Sequence, residues 1–215
     1  MSGFQVYNSA GKLTIDSDNR TIAISQQKAM GNLTDVGYYQ IQNSLGGEYS
    51  MGFLQPNFFP SSGVRWFQPQ TNGAICFPGA YQYTPGSGRF MITSNTNGLA
   101  SGYLDVRDSS GKLVWSAASA ATMPRIMGFL TISSGYNLAS PITLTSPIAN
   151  PWICISQCPG NISDDGSTTG YSGLIIRRNS TTSFSLQYVN KLQKNYTQAM
   201  GGNGFSIALA YFTGY

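Results

Sequence analysis

The residues that could do chemistry are few: 215 residues hold no histidine, three cysteines and eight carboxylates. Without an imidazole, neither a Ser-His-Asp nor a Cys-His relay can be built, and the commonest general base is missing. Glycoside cleavage needs two carboxyl groups about 5 to 9.5 Å apart. Most of the eight fall in expected turns, and Asp164-Asp165 is the pair to weigh, as a sugar-cleaving or calcium-binding candidate. Adjacent acids on a Gly/Ser-rich stretch are ordinarily solvated turn formers. Cys154 and Cys158, four residues apart in an apolar, strand-like setting, would lie on one face about 13 Å apart, too far for a disulfide. A bridge needs the chain to fold back early at Pro159-Gly160; buried free thiols are the simpler reading. A zinc site needs four ligands, and beyond Cys76 there is no second cysteine pair. Tyr83 to Arg89 spaces its glycines like a phosphate loop but lacks the Lys-Ser/Thr that would follow. The chain is therefore expected not to be an enzyme and to use no cofactor or metal.

Contact is the better use for its side chains. Only 9 % of residues are charged and 13 % are aromatic, a surface suited to packing against other subunits as a homo-oligomer, although secreted β proteins also carry quiet Ser/Thr/Asn surfaces. The aromatic residues from Phe53 to Phe90 are interrupted by Pro56, Pro60, Pro69, Pro78 and Pro85, which forbids long helices and shortens strands. Phe58, Phe59 and Trp66 can stack on a sugar face, anchor a neighbouring subunit, or fill the core. Residues 159–172 form an expected long exposed loop, with Asn161, Asp164, Asp165 and Tyr171 as its contact residues. The formal charge of +4 is scattered, with only Arg177-Arg178 and Lys191/Lys194 clustering, so no nucleic-acid partner is expected. No apolar run reaches the roughly 18 residues of a membrane span, and the first twenty residues read as a hairpin, not a signal peptide. Five Asn-x-Ser/Thr sequons (Asn19, Asn32, Asn161, Asn179, Asn195) are what such a composition yields by chance.

These residues have to be held by short strands, and one stretch organises them. Phe4 to Leu13 recurs as Leu104 to Leu113, with Val6/Val106, Ser9/Ser109, Gly11/Gly111, Lys12/Lys112 and Leu13/Leu113 identical. Alternating residues lead into a polar corner, Asn8 or Asp108 opens the turn, and Gly11 or Gly111 closes it in the left-handed region. The expectation is an all-β protein, an antiparallel sandwich or jelly-roll-like fold in a single domain, 1–215, partly built from two related units at about 3–26 and 102–133. Strands are expected at 3–8, 12–16 and 20–26 as one meander. Further strands are expected at 90–94, 125–133 and 140–144, one leading through Trp152, and a closing meander of 174–178, 183–189 and 205–212. In the last strand Phe205, Ile207, Leu209 and Tyr211 face one way and Ser206, Ala208 and Ala210 the other, the small face suiting close packing against another sheet or chain. Residues 116–121 could form a short helical turn or a flexible loop and are read as a loop, and 190–203 as a polar excursion.

The N-terminal residues Gly3-Phe-Gln-Val-Tyr-Asn-Ser-Ala-Gly-Lys-Leu-Thr-Ile-Asp-Ser resemble the opening of small β-rich tail proteins of tailed bacteriophages. Those proteins, encoded among tip and fibre genes, typically begin G-x-Q-[VI]-[FY]-[ND]-x-x-G-x-x-x-x-D-S. Gly3, Gln5, Val6, Asn8, Gly11, Asp16 and Ser17 carry the likeness, which covers residues 3–24 and a partial echo at 102–127. It implies a structural virion protein of the tail tip or fibre region, made in the host cytoplasm. Its partners would be other tail proteins and a host surface glycan or outer-membrane protein, with no membrane insertion. The alternative is a host-receptor or carbohydrate-binding module. The opening segment has no catalytic residues to carry over.

Overall fold

The structure, a computed structural model, describes residues 5–7, 9–11, 13–16, 23–29, 34–35, 39–42, 50–56, 65–66, 68–69, 75–78, 88–95, 98–156, 158–164, 167 and 169–215. In chain order the strands are β1 (Gln5–Tyr7), β2 (Leu13–Asp16), β3 (Ala23–Ala29), β4 (Thr34–Asp35), β5 (Tyr39–Gln42), β6 (Ser50–Pro56), β7 (Arg65–Trp66), β8 (Gln68–Pro69), β9 (Ile75–Pro78), β10 (Gly88–Ser94), β11 (Asp105–Arg107) and β12 (Leu113–Ser116). After a 3-10 helix (Ala117–Thr122) come β13 (Arg125–Ile132), β14 (Ile142–Thr145), β15 (Trp152–Cys154), β16 (Gly160–Asp164), β17 (Thr169–Arg178) and β18 (Ser183–Lys191), then helix α1 (Tyr196–Met200) and β19 (Phe205–Tyr211). The protein is all-β, and every strand pairing among the described residues is antiparallel.

Two sheets make a sandwich. One runs β13-β19-β15-β6-β10-β3; the other runs β14-β18-β17-β16, with β7 also on β17. Alternation along the strands decides which side chains meet between them. Leu54, Ile92, Leu130, Ile132, Ile153, Ile207 and Leu209 from the first sheet bury against Leu174, Ile176, Phe184, Leu186 and Tyr188 from the second. The intervening residues of the first sheet form a separate cluster on its other face: Phe53, Met91, Trp152, Cys154, Ala210 and Phe212. Phe212 meets Phe53 and Trp152 edge-on, at ring separations of 5.2 and 5.8 Å. Strands buried on both faces read as nearly continuous apolar runs, which is why Trp152-Ile-Cys and Ala208-Leu-Ala look apolar throughout.

At one end of the sandwich, hydrogen bonds from two arginines converge on Gln55, Pro56 and Asn150. Arg89 donates to Gln55 Oε1 at 3.0 and 2.8 Å, and Gln55 donates to the Asn150 carbonyl at 2.8 Å. Arg178 on the opposite sheet donates to the Pro56 carbonyl at 3.0 Å and to the Asn150 side chain.

The repeated hairpins superpose in register. β1 pairs with β2 as Gln5 with Asp16, Val6 with Ile15 and Tyr7 with Leu13; β11 pairs with β12 as Asp105 with Ser116, Val106 with Trp115 and Arg107 with Leu113. Each pair is the other shifted by 100 residues, bulge included. Gly11 and Gly111 close the turns at φ of 70° and 81°. The settings differ: Val106 and Val114 are buried, whereas Val6 is only half-buried and Tyr7 and Leu13 are exposed.

Several expectations are corrected. The third strand of the first meander does not stay with β1 and β2; β3 pairs with β10. The closing meander is broken, since β19 leaves β18 to sit between β13 and β15 in the other sheet. A strand with Ile207, Leu209 and Ala210 all buried needs an interior position with both faces covered. The small face of β19 packs within its own chain, with Ala210 and Ala208 in the Trp152 cluster. Residues 117–122 are a 3-10 helix, not a loop, because Ser116 caps it by accepting from the Ala118 amide at 3.2 Å. The excursion at 190–203 contains α1, held by a capping box between Asn195 and Gln198 and ended by Gly201 in the left-handed region.

Candidate functional site

The expected contact loop at 159–172 is largely a β-hairpin. β16 pairs with β17 as Asn161 with Ser172, Ile162 with Tyr171, Ser163 with Gly170 and Asp164 with Thr169. Strand formation follows from the arm's anchoring. Asn161 donates to Gln193 Oε1 at 3.2 Å, Gln193 donates to Ser163 Oγ at 2.6 Å, and a side chain at Gly170 would come within 2.9 Å of that hydroxyl.

β17 therefore gathers most of the residues singled out from sequence. Asn161 and Asp164 lie on its partner strand, Tyr171 lies on β17 itself, and Trp66 in β7 is in register with Ile175 farther along. They do not converge on one face, because Asn161 pairs with Ser172 while Tyr171, one residue before, points to the opposite side. Asp165, Phe58 and Phe59 lie outside the described residues.

A small cleft lies on the second sheet, lined by Pro141, Ile175, Arg177, Ser185, Leu186 and Gln187. Register places Ile175 beside Gln187 and Arg177 beside Ser185. The Arg177-Arg178 pair is thus split by strand alternation. Arg178 is spent on the sandwich end, and partial burial lowers the pKa of its guanidinium. Arg177 has a buried Nε with no hydrogen-bond partner. A buried donor left unpaired carries a desolvation cost that an incoming acceptor would relieve. With a hydroxyl and an amide alongside, the cleft suits an anionic or polyhydroxyl group at its mouth. Sequence reading noted the arginine pair but had no signal to separate its members without the register of β17.

Elsewhere, reactive groups are quenched. Burial raises the Cys154 thiol, and raises Cys158 further, so both stay protonated at neutral pH and are poor nucleophiles. They are free, and they belong to the two separate apolar clusters on either face of the sheet. Asp108 is held below its ordinary pKa by the Ser110 hydroxyl and the Lys112 amide. Asp105 is lowered likewise, by the Ser101 hydroxyl first and then the Gly102 amide. Among the described residues no three acidic, cysteine or histidine side chains are placed to hold a metal, and no helix is long and apolar enough to cross a membrane.

A family model described as a domain of unknown function, DUF8377, matches residues 1–214. No curated protein and no solved structure matches the chain.

Proposed function

Because the chain belongs to the DUF8377 family across nearly its whole length, we propose a role from its own residues: a structural component of a tailed-phage virion, in the tail tip or fibre region, working as an oligomer that contacts the host surface. The observation that carries this is the N-terminal hairpin. Its residues resemble the opening of phage tail proteins, and it stands as a two-stranded sheet with Tyr7 and Leu13 exposed. A lone hairpin is marginal in water, and exposed apolar residues on one are suited to docking on another tail protein. The low charge content fits a chain whose surface is shared with neighbours. Mass spectrometry and antibody labelling of gradient-purified tails from the virus encoding the chain test this: its presence there is expected, and its absence overturns the role.

The Arg177 cleft favours a second reading, a host-surface carbohydrate-binding module. Labelled protein should then bind bacterial cells saturably, with binding lost on removal of surface glycan and reduced about tenfold or more in Arg177→Gln. Equal binding by that variant would remove the cleft from the mechanism.

A further inference from the structure

The oligomer in that role needs a seam, and we infer that β13 supplies it by pairing antiparallel with β13 of a second copy, joining two six-stranded sheets into one. The inference rests on the oligomeric part of the proposal but not on the viral part.

β13 is an edge strand, bonded to β19 on one side and, among the described residues, to nothing on the other. Such a strand presents a row of unpaired backbone donors and acceptors, whose natural complement is another extended chain. Natural edges are usually blunted by lysine, proline or inward charge. β3, at the far edge of this sheet, contains Lys28, and β14 is flanked by Pro141 and Pro147. β13 instead carries Ile126 at 46 %, Met127 at 52 % and Phe129 at 54 % exposure, with one charge, Arg125, at its start. Ile126 pairs with Ala210 and Phe129 with Ala208, so this exposed strip continues the buried face of Trp152 and Phe212 out to the sheet's edge.

The shape of the strand argues for its own copy as the occupant. A bulge at Met127 leaves Gly128–Ile132 as the regular stretch, and its midpoint is Leu130. Two-fold antiparallel pairing about Leu130 sets Phe129 beside Thr131 of the second copy and Gly128 beside Ile132. The same operation brings the bulged Ile126–Met127 segment over Ser133 and Ser134 of the second copy. There the structure has a shallow depression of about 440 Å³, lined by Thr131, Ser133, Ser134, Gly204, Phe205 and Ser206. The protruding apolar side chains of each copy thus meet the hollow of the other, and the two Arg125 residues end roughly 30 Å apart, where they do not repel.

Sedimentation equilibrium of the full chain, with Phe129→Lys and a Phe129→Cys/Thr131→Cys variant, tests the seam. Wild type should populate a dimer or an even multimer. Phe129→Lys, altering an exposed side chain, should weaken self-association at least tenfold while its thermal midpoint and β circular dichroism stay as in wild type. Mild oxidation of the double variant should form a covalent dimer, since cross-strand neighbours lie within disulfide reach. A wild-type monomer at all concentrations overturns the seam. So does an oligomer that survives Phe129→Lys and fails to cross-link, although oligomerisation itself then stands. Detection in purified tails is a separate measurement, so failure of the viral role is read independently.

Discussion

Asp108 shows how much one side chain can organise. Its Oδ1 accepts from the Ser110 amide at 2.9 Å, the Ser110 hydroxyl at 2.6 Å and the Lys112 amide at 2.9 Å. Its folded pKa lies below the ordinary 3.8. A carboxylate depressed on folding stabilises above its unfolded value and loses that contribution as pH falls through the folded one. The thermal midpoint should therefore drop as pH is lowered from 5 through the region below 4, and Asp108→Asn should flatten part of that slope. An unchanged profile in the variant would count against the assignment. At Gly111, φ of 81° with nothing within 4 Å of an added Cβ leaves backbone strain as the whole cost of a side chain. Gly111→Ala should cost about 1–2 kcal/mol and Gly111→Asn less, measured by denaturant unfolding. Both features were legible in sequence, because a turn is a local object: Asn or Asp three residues before Gly says enough.

Among the elements, the meeting of β13 and the start of β19 is constrained by absent side chains. A Cβ at Gly204 would sit 2.8 Å from the Ile132 carbonyl, which is backbone and cannot turn aside. Gly204→Ala should lower the thermal midpoint by several degrees, whereas Gly98→Ala, with open space around it, should leave it near wild type. For α1, Asn195→Ala removes the bond from the Gln198 amide at 2.9 Å and should cost about 1 kcal/mol. Strand identity and facing were readable from alternation, as β13, β18 and β19 show. Strand partnership was not: β3 with β10 and β19 with β15 are joined across long separations, and alternation does not say which apolar face meets which. The hairpin arm at 160–173 was hidden for another reason, although the strand at 174–178 was expected. Its polar, Gly-rich residues resemble a loop, and what makes them strands is the non-local pairing with β18 and the clamp of Gln193.

Taken whole, the molecule keeps Cys154 and Cys158 in two apolar clusters on either face of the six-stranded sheet. Both thiols are free, and burial raises both. In a Cys76→Ser background, a thiol reagent at pH 8 should react with neither in the folded protein and with both in denaturant. Rapid labelling of the native state would contradict that burial. The candidate cleft was illegible in sequence because Arg177, Ser185, Gln187 and Pro141 come from three segments, brought together by register alone. The divided core has one more consequence. Trp152 sits in the face opposite the sandwich with its indole N–H buried and unbonded and Arg89 stacked 5.0 Å from its ring, so its emission should be blue-shifted until that face is wetted. With Trp66 and Trp115 replaced by Phe, light from this one indole distinguishes a chain that has lost only its outer apolar layer from one that has come apart between the two sheets.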